Sequence, residues 1–346
     1  MNDRPVRTGN FDTMRTLAAL GVVVSHSFLL SGGSYEGEPV FALSHGQTTI
    51  GGIAVLIFFV LSGYLITQSF HRAPDTRRFM AARLLRIMPA LVAVVLLAGG
   101  VLGPLCSDWG PAYFSSPLVL RYVAGNLSFL QPFNTLPGVF TANPFPDAVN
   151  GSLWTLRFEA ACYGLVLGLG LAGLLQRWTL LGLTVLGLVA LGWLGRAHSG
   201  LEFITDFGAG ACFYVWQPRI RPRILLGCTV LCGVALWGDQ FRVVSASAGA
   251  VLILALATSA RLQLPSLSQW GDLSYGIYLY AFPIQQVLAS WLGHSSWLLL
   301  LACALPPILM CAAVSWHGVE RRALAWRGWL GGRALKPPLR RQGASD

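Results

Sequence analysis

The sequence predicts an all-α polytopic membrane protein of about ten transmembrane helices, with both termini cytoplasmic. Three observations carry that prediction. Of the 346 residues, 54% are hydrophobic and only 11% charged, with a mean hydropathy of +0.60, whereas soluble domains carry roughly 25% charged residues. The apolar residues fall into runs near the ~20 residues that cross a bilayer. The basic residues gather between those runs, at 72–86, 217–223 and 321–341, as the positive-inside pattern requires.

The expected spans are 11–30, 49–70, 84–105, 152–175, 178–194, 200–216, 224–237, 243–260, 273–292 and 297–319. An even count puts both termini on one side. With the N-terminus inside, Arg4, Arg7, the 72–86 cluster, Arg177, 219–223, Arg261 and the tail are cytoplasmic. The outer segments then hold few basic residues, mainly Arg121, Arg196 and Arg242, together with Glu36, Glu38, Asp108 and Asp147. Residues 1–330 read as one integral-membrane domain and 331–346 as a basic cytoplasmic tail. The first run has a loosely signal-like start, but Arg15 and His26 interrupt it, so it reads as a retained helix.

Several function classes fall away. The net charge of +10 sits in loops and tail, and no basic, aromatic-interleaved domain offers a nucleic-acid surface. Cys228 and Cys232 share a helix face among Leu, Val and Gly, which fits small buried residues better than a metal or redox pair. The histidines show no metal-ligand spacing. No Gly-x-Ser-x-Gly elbow surrounds Ser62, and no phosphate-cradling glycine loop appears.

Within the first span, Arg15 and His26 lie eleven positions apart. At ~100° per residue that spacing returns nearly to one helix face, about 16 Å further along the axis. Ionisable groups inside a bilayer are costly and mark reaction or transport paths. The third span opens on Arg83-Leu84-Leu85-Arg86, whose i, i+3 arginines share a face and match phosphate oxygens. As topology anchors they would merely snorkel. The fourth span opens on Ser152-Leu153-Trp154-Thr155-Leu156-Arg157-Phe158-Glu159. If that opening lies at the outer surface, Glu159 sits about 10 Å below it, at a depth where it can meet His26. Asp206 is a further buried carboxylate. Tyr275, Tyr278 and Tyr280 open the ninth span, either as an interfacial belt or as the lining of a substrate path. The long 106–151 connection is external and placed to fold over the outer mouth of a site.

Asp12-Thr13-Met14-Arg15 with His26, and Phe58-Phe59-Val60-Leu61-Ser62-Gly63-Tyr64, resemble the start of the acyltransferase-3 family. The resemblance continues through Arg83-x-x-Arg86, Ser152-Leu153-Trp154-Thr155 with Glu159, and Leu273-Ser274-Tyr275-Gly276-Ile277-Tyr278-Leu279, and ends near Val319-Glu320-Arg321. It implies about ten helices in the bacterial inner membrane. It also implies transfer of an acyl group, commonly acetyl from acetyl-CoA, to a hydroxyl of an exported or lipid-linked glycan, with no permanently bound cofactor or metal. His26 matches the family's essential histidine. Arg15, Arg83 and Arg86, with Tyr275 and Tyr278, become candidates for holding acyl-CoA. Asp12, Trp154, Arg157 and Asp206 become candidates for the acceptor, and Glu159 for orienting His26. Ala281 stands where many members carry a histidine, and Arg157 where many carry a less polar residue.

On this reading acyl-CoA enters from the cytoplasm and His26 deprotonates the sugar hydroxyl that attacks the thioester; an acyl-histidine relay is the variant route. The competing class is a transporter or flippase using Arg15, His26, Glu159 and Asp206 as ion-relay groups. The missing internal repeat and the paired arginines favour the acyltransferase.

Overall fold

The computed structural model describes residues 9–194 and 199–327. Arg4, Arg7, Arg196 and the 331–346 tail lie outside the described residues. Among the described residues the chain is helical, with a single antiparallel bridge between Ser107 and Val139.

In chain order the helices are α1 (Gly9–Gly32), α2 (Pro39–Leu43), α3 (Ile50–Arg72), α4 (Thr76–Leu97) and α5 (Gly103–Cys106). There follow α6 (Pro117–Ser128), α7 (Leu156–Leu171), α8 (Arg177–Leu194), α9 (Ser199–Trp216) and α10 (Pro222–Ala235). The last are α11 (Phe241–Val244), α12 (Ala250–Ala257), α13 (Ser274–Leu292), α14 (Trp297–Ser315) and α15 (Arg321–Ala325). Wide π-type turns join α4 to α5, α11 to α12 and α14 to α15 into longer rods.

Five helices among the described residues are long and apolar enough to cross a membrane: Asn10–Gly32, Ile50–Arg72, Thr76–Cys106, Arg177–Leu194 and Trp297–Ala325. The chain is therefore a polytopic all-α membrane protein, but the expectation of about ten spans is corrected. The physical reasons are specific. The 152–175 run is broken by a 3-10 turn at Leu153–Thr155, leaving α7 with 16 residues. The runs at 224–237 and 243–260 form the shorter helices Pro222–Ala235 and Phe241–Ala257. The 200–216 run carries Glu202 and Asp206, and 273–292 carries Gln285 and Gln286, so α9 and α13 bury polar groups against other helices rather than facing lipid along their length. The expectation that both termini lie on one side rested on an even count of spans and falls with it.

Membrane-facing and core-facing surfaces are distinct. On α8, Leu186, Val189 and Trp193 are exposed while Thr184 and Gly187 pack inward against α9. In lipid, helices associate through small residues that allow close backbone approach, and α3 and α9 do this reciprocally. A Cβ on Gly63 would stand 1.9 Å from the Phe207 carbonyl oxygen, and one on Gly210 would stand 2.0 Å from that of Val60.

Helix α1 packs against α3, α13 and α14, and buried polar ties fix its position. At one end the Asn10 side chain donates to Leu256 and Leu262 carbonyls and accepts from the Leu264 N–H. In its C-terminal half, Gln285 of α13 donates to the Val23 carbonyl and the Ser27 hydroxyl. Glu38, read from the sequence as a loop acid, is fully buried. Its carboxylate accepts from Ser25 Oγ, the Ile50 N–H and the Phe41 N–H, which ties α1 to the starts of α2 and α3.

The 106–151 connection ends on the wall of a cavity that also holds His26. It carries α6 and then sinks into the bundle along α13. Asn143 donates to Gln286, Gln286 donates to the Phe145 and Ala148 carbonyls, and Asn150 donates to the Leu279 carbonyl. Gly151 passes Phe282 so closely that a Cβ would stand 2.6 Å from the ring. Helix α7 therefore begins inside the bundle, and every residue on it lies deeper than an outer-surface start implies.

Candidate active site

Three cavities lie in series along α3. The first, of about 280 Å³, is lined by His26, Tyr35, Ser152, Trp154, Glu202 and Arg242, among others. The second, of about 310 Å³, holds Arg15, Arg83, Arg86, Glu159 and Asp272. They share three wall residues, Val55, Thr155 and Tyr278. A third, of about 230 Å³, shares Arg327 with the second. Helix α3 supplies Val55, Ser62 and Ser69 in turn to these walls. A seven-residue spacing drifts only ~20° around a helix, so the three form one stripe.

His26 stacks edge-on against Phe282, with ring centroids 5.0 Å apart, and its Nδ1 is buried without a partner. It lines the cavity together with Trp154. Glu202 pairs with Arg242 at 3.3 Å on the same cavity. Burial, with Glu38 nearby, pushes the Tyr35 phenol up to about 12, so it stays a neutral hydrogen-bonding group there.

The arginine cavity is electrostatically uneven. Arg86 bonds Asp272 at 2.6 Å and approaches Glu320 at 3.6 Å, and its guanidinium lies over the Tyr275 ring. Ser274 and Ser315 hydroxyls donate to these two carboxylates. Burial opposes charge on Asp272, but Arg86, then Arg15 and Ser274, hold its carboxyl below the ordinary range. Arg15 and Arg83 have no carboxylate partner among the described residues. Arg15 reaches Ser62 Oγ at 3.5 Å and Arg83 reaches Ser69 Oγ at 3.4 Å. The Arg83 Nε is buried and unbonded. These two guanidiniums keep donors available for an anion, whereas Arg86 is already engaged.

The geometry sorts the residues singled out from the sequence. Arg15, Arg83, Arg86, Tyr275 and Tyr278 come together around the second cavity, with Tyr275 donating to the Ile87 carbonyl. His26 and Trp154 come together around the first. Glu159 does not meet His26. It accepts a short hydrogen bond from Tyr163 and faces the arginine cavity, because α7 starts deep and carries it toward the opposite end. Arg157 is exposed and lies over the Phe158 ring at 4.4 Å, outside both cavities. Asp206 is buried with Oδ1 unbonded and lines neither cavity. Asp12 is half-buried in the field of Asp272, Arg15 and Arg86 but also lines neither. Ala281 packs with Ala19, Val23 and Ile308 in the α1–α13–α14 core, away from the cavities.

Sequence reasoning missed Ser62 and Ser69 as arginine partners, Thr155 as wall, and Glu320 as the second carboxylate on Arg86. The Val55, Ser62, Ser69 periodicity was the available signal for the first two. No group of three or more His, Cys, Asp or Glu side chains is arranged to hold a metal among the described residues.

Fold and site together describe a helical membrane protein with two adjoining cavities, one cationic and one holding a histidine. The family described as "Acyltransferase domain", acyltransferase-3, matches residues 8–316, and the chain belongs to it. An O-acetyl transferase of Shigella phage Sf6 is 31% identical over 332 residues, covering 91% of this chain and 95% of that protein. Nodulation protein 10 of Rhizobium leguminosarum bv. viciae is 30% identical, covering 94% of this chain and 96% of that protein. No solved structure matches the chain.

Proposed function

We propose that this protein is an O-acyltransferase of the bacterial inner membrane, moving an acyl group, acetyl in the first instance, from acyl-CoA to a hydroxyl of an exported or lipid-linked glycan. Residues 1–330 act as one acyltransferase unit, with 331–346 a basic tail. The observation that carries the reading is the shared wall: a cavity with free guanidiniums abuts a cavity with an accessible histidine, separated by Val55, Thr155 and Tyr278. Similarity to the phage O-acetyl transferase supports oxygen as the acceptor atom and acetyl as the group.

In this mechanism Arg15 and Arg83 hold donor phosphates through charge-assisted hydrogen bonds, and the thioester reaches toward Tyr278. The two residues Arg15 and His26 are about 16 Å apart along α1, which suits an extended pantetheine arm. His26 takes the proton from the acceptor hydroxyl, and the oxygen attacks the thioester carbonyl. The carbon–sulfur bond then breaks, and the departing thiolate takes the proton back from His26, giving ester and CoA thiol. Glu159 acts on the donor side, as a counter-charge near Arg83 held by Tyr163. A transport relay draws less support, since Asp206 lines neither cavity and Glu159 stands away from His26.

The test is purified protein in lipid nanodiscs with radiolabelled acetyl-CoA and candidate glycans. Label passes to glycan with the wild type and not with His26→Ala. Transfer at the wild-type rate by a folded His26→Ala protein overturns the histidine's role, and failure of any acyl-CoA to bind overturns the reaction class.

A further inference from the structure

The third cavity has no part in the mechanism so far. It is lined by Arg72, Arg78 and Arg327, with Gln68 and Ser69, and no carboxylate lines it among the described residues. Asp75, the acidic residue nearest in the chain, instead caps α4 by accepting from the Arg78 N–H at 2.8 Å. Arg72 ends α3 and Arg78 begins α4, so the turn between those helices sets two guanidiniums at one opening. Arg327 enters from beyond α15, and its charge acts on Arg83.

The charges of the two cationic cavities differ in a way that matters for a phosphate-rich ligand. Apart from the shared Arg327, the second cavity sets three arginines against Glu159 and Asp272, an excess of one. The third sets three arginines against none. Coenzyme A carries two separate phosphate groups, a pyrophosphate joining the pantetheine arm to the ribose and a 3′-phosphate on the ribose itself. One excess charge in the second cavity does not balance both. The two cavities meet at Arg327, and Ser69, on the third, accepts from Arg83, on the second. A ligand occupying both would pass Arg327.

We propose that the Arg72–Arg78–Arg327 cavity binds the 3′-phosphate end of the acyl-CoA nucleotide, leaving the pyrophosphate to Arg15 and Arg83. The proposal rests on acyl-CoA being the donor, and adds a site that measures the donor's far end. It makes the enzyme selective for 3′-phosphorylated CoA over its dephosphorylated form, by contacts remote from the reacting thioester. On α3, Val55 lies on the wall where the thioester would react and Arg72 lines the third cavity, so this recognition acts about 25 Å from the chemistry.

The experiment compares acetyl-CoA with acetyl-3′-dephospho-CoA, using wild type, Arg72→Gln/Arg78→Gln and Arg327→Gln in phosphatidylcholine nanodiscs. Arg72 and Arg78 are exposed, so glutamine disturbs no packing, and turnover of the dephosphorylated donor reports folding directly. The wild type should show a lower KM for acetyl-CoA. The double variant should raise that KM roughly tenfold or more, the size expected for losing charge-assisted contacts, while the dephosphorylated donor's KM stays put. Retention of the wild-type preference by the double variant overturns the proposal while leaving acyl-CoA as donor. Binding of neither CoA form to the wild type overturns the donor reading itself. A phospholipid headgroup is the other source of such a phosphate. If the variants lose only retention of phosphatidylglycerol from mixed nanodiscs, with donor preference intact, the cavity is a lipid site and the proposal fails.

Discussion

The hydroxyls of Tyr278 and Thr155 lie 2.6 Å apart on the wall between the arginine cavity and the histidine cavity. Tyr278 also donates to the Ser152 carbonyl at 2.8 Å, so the pair pins the start of α7 to α13 at the point where donor and acceptor would meet. Removing one hydroxyl loosens the wall without emptying it. Tyr278→Phe should therefore admit water to the thioester. The expected result is a several-fold rise in CoA release without glycan, alongside reduced transfer, read by a thiol assay. An unchanged acceptor-independent rate would mean the wall is sealed by other residues.

Arg83 and Arg86 belong to one sequence motif but sit in different electrostatic settings, so their alanine variants should separate. Arg86→Ala strands Asp272 and the buried Glu320, and breaking such a pair from one side costs about 3–5 kcal/mol, visible as a lowered Tm. Arg83→Ala removes a guanidinium with no carboxylate partner and should weaken acetyl-CoA binding with little change in Tm. Asp272 adds a pH signature. Its carboxyl is held below the ordinary range, so its stabilisation is present above that range and is lost as pH falls through the lowered folded value. Asp272→Asn should flatten the acid limb of a stability-versus-pH curve below about pH 4; an unaltered limb would show that other carboxylates govern it.

Glu159 lines the arginine cavity. Glu159→Gln keeps the Tyr163 contact possible but removes the negative charge near Arg83 and Arg15. The expected outcome is an altered KM for acetyl-CoA with the acceptor KM unchanged. If instead the acceptor KM shifts, the carboxylate reaches the histidine during turnover.

The Arg15 and His26 spacing was legible because helix geometry alone relates them, and each does line its own cavity. The Arg83-x-x-Arg86 pairing was legible for the same reason. Glu159 was not, because its depth depends on where α7 starts, and that is set by Asn143, Asn150 and Gly151 folding the preceding segment into the bundle. Hydropathy runs could not reveal that inward path. The count of spans failed on a related point. An apolar run such as 224–237 reads as a crossing, but its helix ends at Ala235 after 14 residues. Runs such as 273–292 hide Gln285 and Gln286, whose partners are backbone carbonyls on other elements. Charge pairing within the motif was equally hidden, since Asp272 and Glu320 reach Arg86 from positions far along the chain.

The close approach of α3 and α9 gives the last prediction, because it sets the stripe that lines all three cavities. At Gly63 a methyl group would meet the Phe207 carbonyl oxygen at 1.9 Å. That neighbour is backbone, so no rotamer change relieves it and the helices must separate. Gly63→Ala should cost at least the 1–3 kcal/mol typical of overpacking, seen as a lowered Tm. Gly164 of α7 and Gly182 of α8 offer the control, since nothing lies within 4 Å of an added Cβ there. Alanine at either should be neutral or mildly stabilising, as expected for a helix interior. The sign of the glycine-to-alanine change thus reports packing rather than helix propensity. Separation at Gly63 also moves Ser62, which receives the Arg15 contact, so weaker acetyl-CoA binding should accompany the lower Tm. A Gly63→Ala protein with wild-type Tm and donor affinity would show that the two helices are not in this contact.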